Sequence, residues 1–94
     1  MLKGVSESEW QILLNILRQF PGCVFYAFGS RVKGNFSGLS DLDLLVKNAN
    51  KDMIADLKYR FDNSYLPYVV NLVDFNTIED KFYELIKDDL VQIG

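Results

Sequence analysis

A glycine–serine pair and two closely spaced aspartates stand within one short stretch of the sequence. Gly29 and Ser30 are followed, after ten residues, by Asp41 and Asp43. The aspartates belong to the run Asp-Leu-Asp-Leu-Leu-Val, which predicts a β-strand, so both side chains should project from one face with Cα atoms roughly 6 to 7 Å apart. Two carboxylates at that separation repel each other unless a cation lies between them. The aspartates therefore predict a metal site.

The glycine–serine pair predicts an anion site next to it. Gly29 and Ser30 follow Val24–Phe28, a short apolar run that predicts a buried strand. Backbone N–H groups in such a turn can face an anion where the next helix starts. Neighbouring cation and anion sites indicate a metal–nucleotide complex as ligand.

Length and composition narrow the class of protein. The 94 residues are 49% apolar, which predicts a single packed domain over residues 1–94. A formal charge of −3 disfavours a long nucleic-acid partner, because phosphate-backbone binding needs a concentrated basic surface. The chain has no histidine, so catalysis and zinc sites that depend on histidine are excluded, and carboxylates with hard cations remain.

The lone cysteine and the apolar segments predict a soluble cytoplasmic protein. Cys23 cannot form an internal disulfide and starts an apolar run, which favours a buried thiol in a reducing compartment. The first ten residues lack a signal-peptide core, and no run approaches the length of about 20 apolar residues that a membrane span needs. We therefore expect no membrane association.

Hydrophobic periodicity predicts helices alternating with strands. The predicted elements are a helix over 7–19, a strand over Val24–Phe28, one helical turn over 30–34, a loop over 35–40, a strand over Asp41–Lys47, a helix over 52–61, a strand over Tyr68–Asp74, a helix capped by Thr77 and a short strand over Leu90–Ile93. This order predicts the α/β (α+β) class, with a small mixed β-sheet and helices packed mainly on one face.

Two segments carry a resemblance to a known family. Residues 28–34, Phe-Gly-Ser-Arg-Val-Lys-Gly, and residues 40–44, Ser-Asp-Leu-Asp-Leu, resemble the signature of the minimal nucleotidyltransferases of the DNA polymerase beta superfamily. The resemblance extends to the order of helices and strands along nearly the whole chain. It implies a polymerase-beta-like nucleotidyltransferase fold.

The resemblance also implies a set of site residues. Its third acidic residue stands on the strand after the next helix, and we expect Asp74 to fill that position, although a strand-end aspartate is often only a turn former. Asp41, Asp43 and Asp74 would then hold two Mg²⁺ ions for transfer from ATP, with Asp74 on the catalytic ion and helping to deprotonate the acceptor. Gly29 and Ser30 would bind the triphosphate.

Two basic residues next to the glycine–serine turn are candidate phosphate ligands. Arg31 and Lys33 can meet the terminal phosphates of a nucleotide. Alternatively, they lie on a solvated helix or against the acidic site.

The acceptor substrate is the open question. We expect no acceptor-binding domain in a chain of this length, so another protein or a second copy in a homo-oligomer is expected to hold the acceptor. The resemblance implies a helical HEPN-domain toxin as partner, to which an antitoxin enzyme transfers AMP from ATP. A non-catalytic antitoxin that acts by contact alone and an enzyme for an aminoglycoside-like small molecule are the alternatives.

Overall fold

The computed structural model describes residues 2, 4–34 and 41–93, and the predicted loop over 35–40 lies outside them. In chain order the elements are α1 (Glu7–Leu17), β1 (Val24–Phe28), α2 (Ser30–Lys33), β2 (Leu42–Lys47), α3 (Lys51–Asp62), β3 (Val70–Asp74), α4 (Asp80–Ile86), a 3-10 turn (Lys87–Asp89) and β4 (Val91–Gln92). The predicted order of helices and strands is confirmed.

The four strands form one mixed sheet in the order β3-β2-β1-β4. β1 is antiparallel to both β2 and β4, whereas β2 and β3 are parallel and are joined through α3. Parallel neighbours need a crossover connection, which the twelve-residue α3 supplies. The predicted mixed sheet is confirmed.

The two longest helices cover one face of the sheet. Alternate residues of the strands, among them Phe25, Leu44 and Val46, pack in one apolar cluster with Leu13 of α1 and Leu57 of α3. All five are almost inaccessible to solvent. This face holds the main core, as the prediction of helices mainly on one side requires.

The opposite face has a smaller apolar cluster. Phe28 and Leu45 contact Ile86 and Tyr83 of α4 there. The cluster covers only part of this face, which leaves room for polar side chains near the start of β2.

Local sequence explains where the helices begin. Ser6 caps α1 by accepting a hydrogen bond from the Glu9 N–H at 3.2 Å, and the Glu9 carboxylate accepts one from the Ser6 N–H, also at 3.2 Å. The structure differs from the prediction at α4, which begins after Glu79 rather than at Thr77. The Thr77 hydroxyl donates instead to the Asp74 carbonyl at 3.4 Å, so Thr77 belongs to the turn after β3.

Across the described residues, no helix is both long enough and apolar enough to span a bilayer.

Candidate functional site

The turn after β1 lies directly against the Asp43 carboxylate. β1 ends at Phe28, whose register partner on β2 is Asp43, and the next residue, Gly29, has a φ of +84°. A Cβ atom placed on Gly29 would lie 2.5 Å from Asp43 Oδ2. Glycine suits this position, because a side chain here would require a strained positive φ and would displace the Asp43 carboxylate. The chain thereby brings the Gly29-Ser30 turn and the second aspartate together, as the sequence pattern predicted.

A single amide connects the two aspartates. Asn71 Nδ2 donates to Asp41 Oδ2 at 3.0 Å and to Asp43 Oδ1 at 3.1 Å. Asn71 reaches both because β3 runs parallel to β2 with Asn71 as the register partner of Asp43. Asp41 is exposed and Asp43 half-buried. Two carboxylates and one amide therefore converge at the open edge of the smaller cluster.

The donors at this point fit a hard divalent cation. Among the described residues, no lysine or arginine forms an ion pair with Asp41 or Asp43. Within the described part of the chain, the side-chain hydrogen bonds to the pair come from the amide of Asn71, whose N–H dipoles carry no formal charge. Carboxylate oxygens on an accessible surface are what Mg²⁺ takes as ligands when substrate phosphates complete its shell. Asp41 and Asp43 can hold such an ion.

Asp74 lies away from this group. Its register partner is Val46, three residues beyond Asp43, which places it roughly 10 Å farther along the sheet. An offset of three residues also reverses the face, so Asp74 and Asp43 project to opposite sides. The Asp74 carboxylate instead accepts from the Asn76 N–H at 2.9 Å.

The surroundings of Asp74 also differ from those of the aspartate pair. Asp74 lines a groove of 460 Å³ at the β3 edge, and neither Asp41 nor Asp43 belongs to its lining. The structure therefore does not bring Asp74 to the predicted metal site. Its carboxylate contacts the Asn76 N–H in the turn after β3, as expected of a strand-end aspartate that forms a turn.

The predicted phosphate ligand Arg31 is buried rather than presented to a nucleotide. Only 1% of its surface is accessible. Its Nη1 donates to the Gly4 carbonyl at 3.2 Å, and its guanidinium lies 4.0 Å from the centre of the Tyr68 ring. These contacts hold α2 on the core side of the molecule. Arg31 thus positions the turn that precedes it.

Lys33 faces the C-terminal part of the chain. Its Nζ lies 3.3 Å from Asp89 Oδ2 in a solvent-exposed ion pair. Ser30, by contrast, is the first residue of α2, where it is half-buried and follows Gly29 directly. Of the predicted phosphate ligands, Gly29 and Ser30 adjoin the aspartate pair.

Sequence reasoning missed Asn71. The signal was present in the order of elements, because a strand, a helix and a strand in succession predict a parallel pair. Parallel strands begin at the same edge, so the residue facing an aspartate at the start of β2 must stand near the start of β3. Asn71 meets that condition, and Asp74 at the end of β3 does not.

A family model described as "Nucleotidyltransferase domain" matches residues 11–93 of the chain. This range contains every site residue named above. The chain belongs to the nucleotidyltransferase domain family. The predicted enzyme class and the resemblance to minimal nucleotidyltransferases are thereby confirmed.

Two relatives of this nucleotidyltransferase are informative. It is 39% identical over 93 residues to "Probable protein adenylyltransferase MntA" of Haemophilus influenzae, covering 95% of this chain and 82% of that protein. Its fold is similar to a solved structure described as "the toxin-antitoxin with AMP-PNP", with a TM-score of 0.70 and 23% identity, covering 88% of this chain and 70% of the other. The second similarity shows the fold alone.

Proposed function

We propose that this nucleotidyltransferase is Mg²⁺-dependent, takes ATP, and transfers AMP to a hydroxyl group of a partner protein in the cytoplasm. In this proposal it acts as the antitoxin of a HEPN-type toxin. The observation that supports it most directly is the Asp41–Asp43 pair beside the Gly29-Ser30 turn, with Asp43 Oδ2 in the space that a Gly29 side chain would fill. The comparison with an adenylyltransferase relative supports the choice of nucleotide.

The roles proposed for the chain's own residues follow from their positions. Asp41 and Asp43 bind the cation, and Gly29 lets the backbone approach the triphosphate while Ser30 offers a hydroxyl donor. When bound, Mg²⁺ supplies charge neutralisation at the phosphates. The sequence prediction of two ions depended on three carboxylates. Because the described residues bring two together, this proposal relies on one ion at Asp41 and Asp43.

The proposed reaction is a displacement at the α-phosphorus of ATP. A bond forms between the acceptor oxygen and the α-phosphorus, and the α–β phosphoanhydride bond breaks, so pyrophosphate leaves with the bonding electron pair. The hydroxyl proton passes to solvent. Alignment of the two reactants can supply about 7 to 11 kcal/mol of the barrier. We propose that the partner protein supplies this alignment, and that a tyrosine hydroxyl is the acceptor.

The test combines the protein with the product of the neighbouring reading frame. With Mg²⁺ and α-labelled ATP, the nucleotidyltransferase alone should label nothing or label slowly, and adding a HEPN-like partner should give a covalent AMP adduct detected by mass spectrometry. Asp41→Asn should abolish labelling, because it removes one of two anionic cation ligands. Asp62→Asn, which removes the same charge from the exposed end of α3, should label normally.

Two results would contradict the proposal. Full inhibition of the partner without any adduct would identify an antitoxin that acts by contact alone. Adenylylation of an aminoglycoside but not of the partner would identify a small-molecule enzyme. Binding of the partner by Asp41→Asn in a pull-down assay separates loss of chemistry from loss of association.

A further inference from the structure

β3 presents an amide, not a carboxylate, to the two aspartates of the site. We propose that Asn71 occupies the place of the third acidic residue, so that the site holds one divalent cation firmly with its nucleotide and lacks the anionic ligand that a second cation requires. This inference rests on the proposed nucleotidyltransferase function and specifies its metal content.

Register leaves Asn71 as the β3 residue that can take this place. Only alternate residues of β3 share a face with Asp43, and within the described strand these are Asn71 and Val73. Val73 packs in the smaller apolar cluster with its register partner Leu45. Asn71 is the one whose side chain reaches Asp41 and Asp43. No carboxylate elsewhere in the described residues completes a group of three that could hold a metal ion.

Charge then limits the number of ions. Asp41 and Asp43 together provide two negative charges, which neutralise one divalent cation. An amide is neutral, so a second cation would depend on the nucleotide phosphates for its negative ligands. Mg²⁺ is commonly bound by one or two carboxylates together with substrate phosphates. Asp41 and Asp43 therefore provide enough carboxylate ligands for one ion.

Hydrogen bonding gives Asn71 a second effect as a positioning residue. Its two N–H bonds fix Asp41 and Asp43 at 3.0 and 3.1 Å from one nitrogen, so the carboxylates are held together before a cation arrives. With Asn71 at this position, the Asp41–Asp43 pair is preorganised, but the site has no third anionic ligand from β3.

The experiment counts ions rather than turnover. The full-length protein is dialysed to equilibrium against Mn²⁺ and a non-hydrolysable ATP analogue, and retained Mn²⁺ is measured per retained nucleotide. We expect one tightly held Mn²⁺ per nucleotide in the natural protein and two in Asn71→Asp, with the second ion bound at least about tenfold more tightly than in the natural protein. Asn15→Asp, which adds the same charge on an exposed position of α1, should retain one.

Thermal unfolding provides an independent measurement. In EDTA, Asn71→Asp should melt at a lower temperature than Asn15→Asp, because three carboxylates then repel one another, and Mn²⁺ should reverse the difference. Two ions of similar affinity in the natural protein, or a single ion in folded Asn71→Asp, would overturn this inference and leave the proposed function intact. Nucleotide without any retained Mn²⁺, or no nucleotide at all, in both proteins would overturn the proposed function and this inference together.

Discussion

Gly29 and Asp43 illustrate how closely the two sequence motifs fit together. The carboxylate occupies the volume that a methyl group on Gly29 would need, and Gly29 adopts a φ that side chains disfavour. Both the nearby carboxylate and the positive φ therefore favour glycine at position 29. Substitutions here act on the turn and on the aspartate at once.

Gly29→Ala should weaken ATP binding and destabilise the fold. The new Cβ would lie 2.5 Å from Asp43 Oδ2, so the carboxylate must move, and the positive-φ backbone adds a cost of roughly 1 to 3 kcal/mol for a residue with a side chain. We expect at least about a tenfold loss of affinity for Mg²⁺-ATP, since a misplaced ligand costs as much as a lost supporting contact. Calorimetric titration and thermal melting measure the two effects.

Gly22→Ala is the matched control for this change. No atom lies within 4 Å of a Cβ placed on Gly22, and its φ is outside the left-handed region. This variant should bind Mg²⁺-ATP as the natural protein does. Equal affinity of Gly29→Ala and Gly22→Ala would show that the turn is not part of the nucleotide site.

At the scale of elements, a chain of contacts ties the short helix α2 to α1. Arg31 of α2 lies under the Tyr68 ring, and the Tyr68 hydroxyl donates to Glu9 of α1 at 3.3 Å. α2 has only four residues and cannot be stable alone. Its position, and hence that of the Gly29-Ser30 turn, depends on these tertiary contacts.

The same contacts predict a stability change at high pH. Burial, together with the negative charge of Glu9, raises the pKa of Tyr68 from 10.0 to about 12. Because the folded-state pKa exceeds the unfolded one, this contribution to the free energy of unfolding is fully present below about pH 10 and is lost as pH rises towards 12. Urea unfolding across this range, with phenolate absorbance to follow ionisation, measures it.

Tyr68→Phe should remove the latest phenolate step and flatten the pH dependence between pH 10 and 12. Tyr65→Phe is the control, since Tyr65 is 93% exposed, and the late step should persist in it. Persistence of that step in Tyr68→Phe would assign it to another tyrosine.

The order of helices and strands could be read from the sequence because it depends on local periodicity. Val24–Phe28 was predicted with its observed bounds, and the two aspartate side chains, which were expected on one face, share Asn71 as a hydrogen-bond donor. The third site residue could not be read in this way, because it depends on register between two strands 28 residues apart. Charge type favoured Asp74 over Asn71, whereas strand direction and face select Asn71.

The two basic residues next to the glycine–serine turn differ in burial, although they look alike in the sequence. Arg31 and Lys33 are both basic and lie two positions apart, but one is enclosed beside Gly4 and Tyr68 while the other reaches Asp89 at the surface. Tertiary packing decides which basic side chain is available to a ligand, and a four-residue helix carries no periodic signal long enough to reveal it.

At the scale of the whole molecule, the sheet separates stability from function. One face carries the larger core under α1 and α3, and the other combines a small cluster under α4 with the polar site at its edge. Side chains of the site contribute little apolar burial. Substitutions of the polar side chains Asp41 and Asp43 should therefore change ligand binding far more than folding.

This separation predicts opposite responses of Asp43→Asn to the absence and presence of ligand. Without metal the variant should be as stable as the natural protein or slightly more stable, because it removes one of two repelling anions while its new side-chain oxygen can still accept from Asn71. With Mg²⁺-ATP at about 100 times the natural dissociation constant, the natural protein should gain about 2.7 kcal/mol, or roughly 10 to 20 °C in melting temperature, and the variant almost nothing. Differential scanning calorimetry in EDTA and in Mg²⁺-ATP gives both numbers, and Asp62→Asn should follow the natural protein in each. If Asp43→Asn instead unfolds in EDTA, the carboxylate serves the fold. A full ligand-induced gain in that variant would place the nucleotide elsewhere on the molecule.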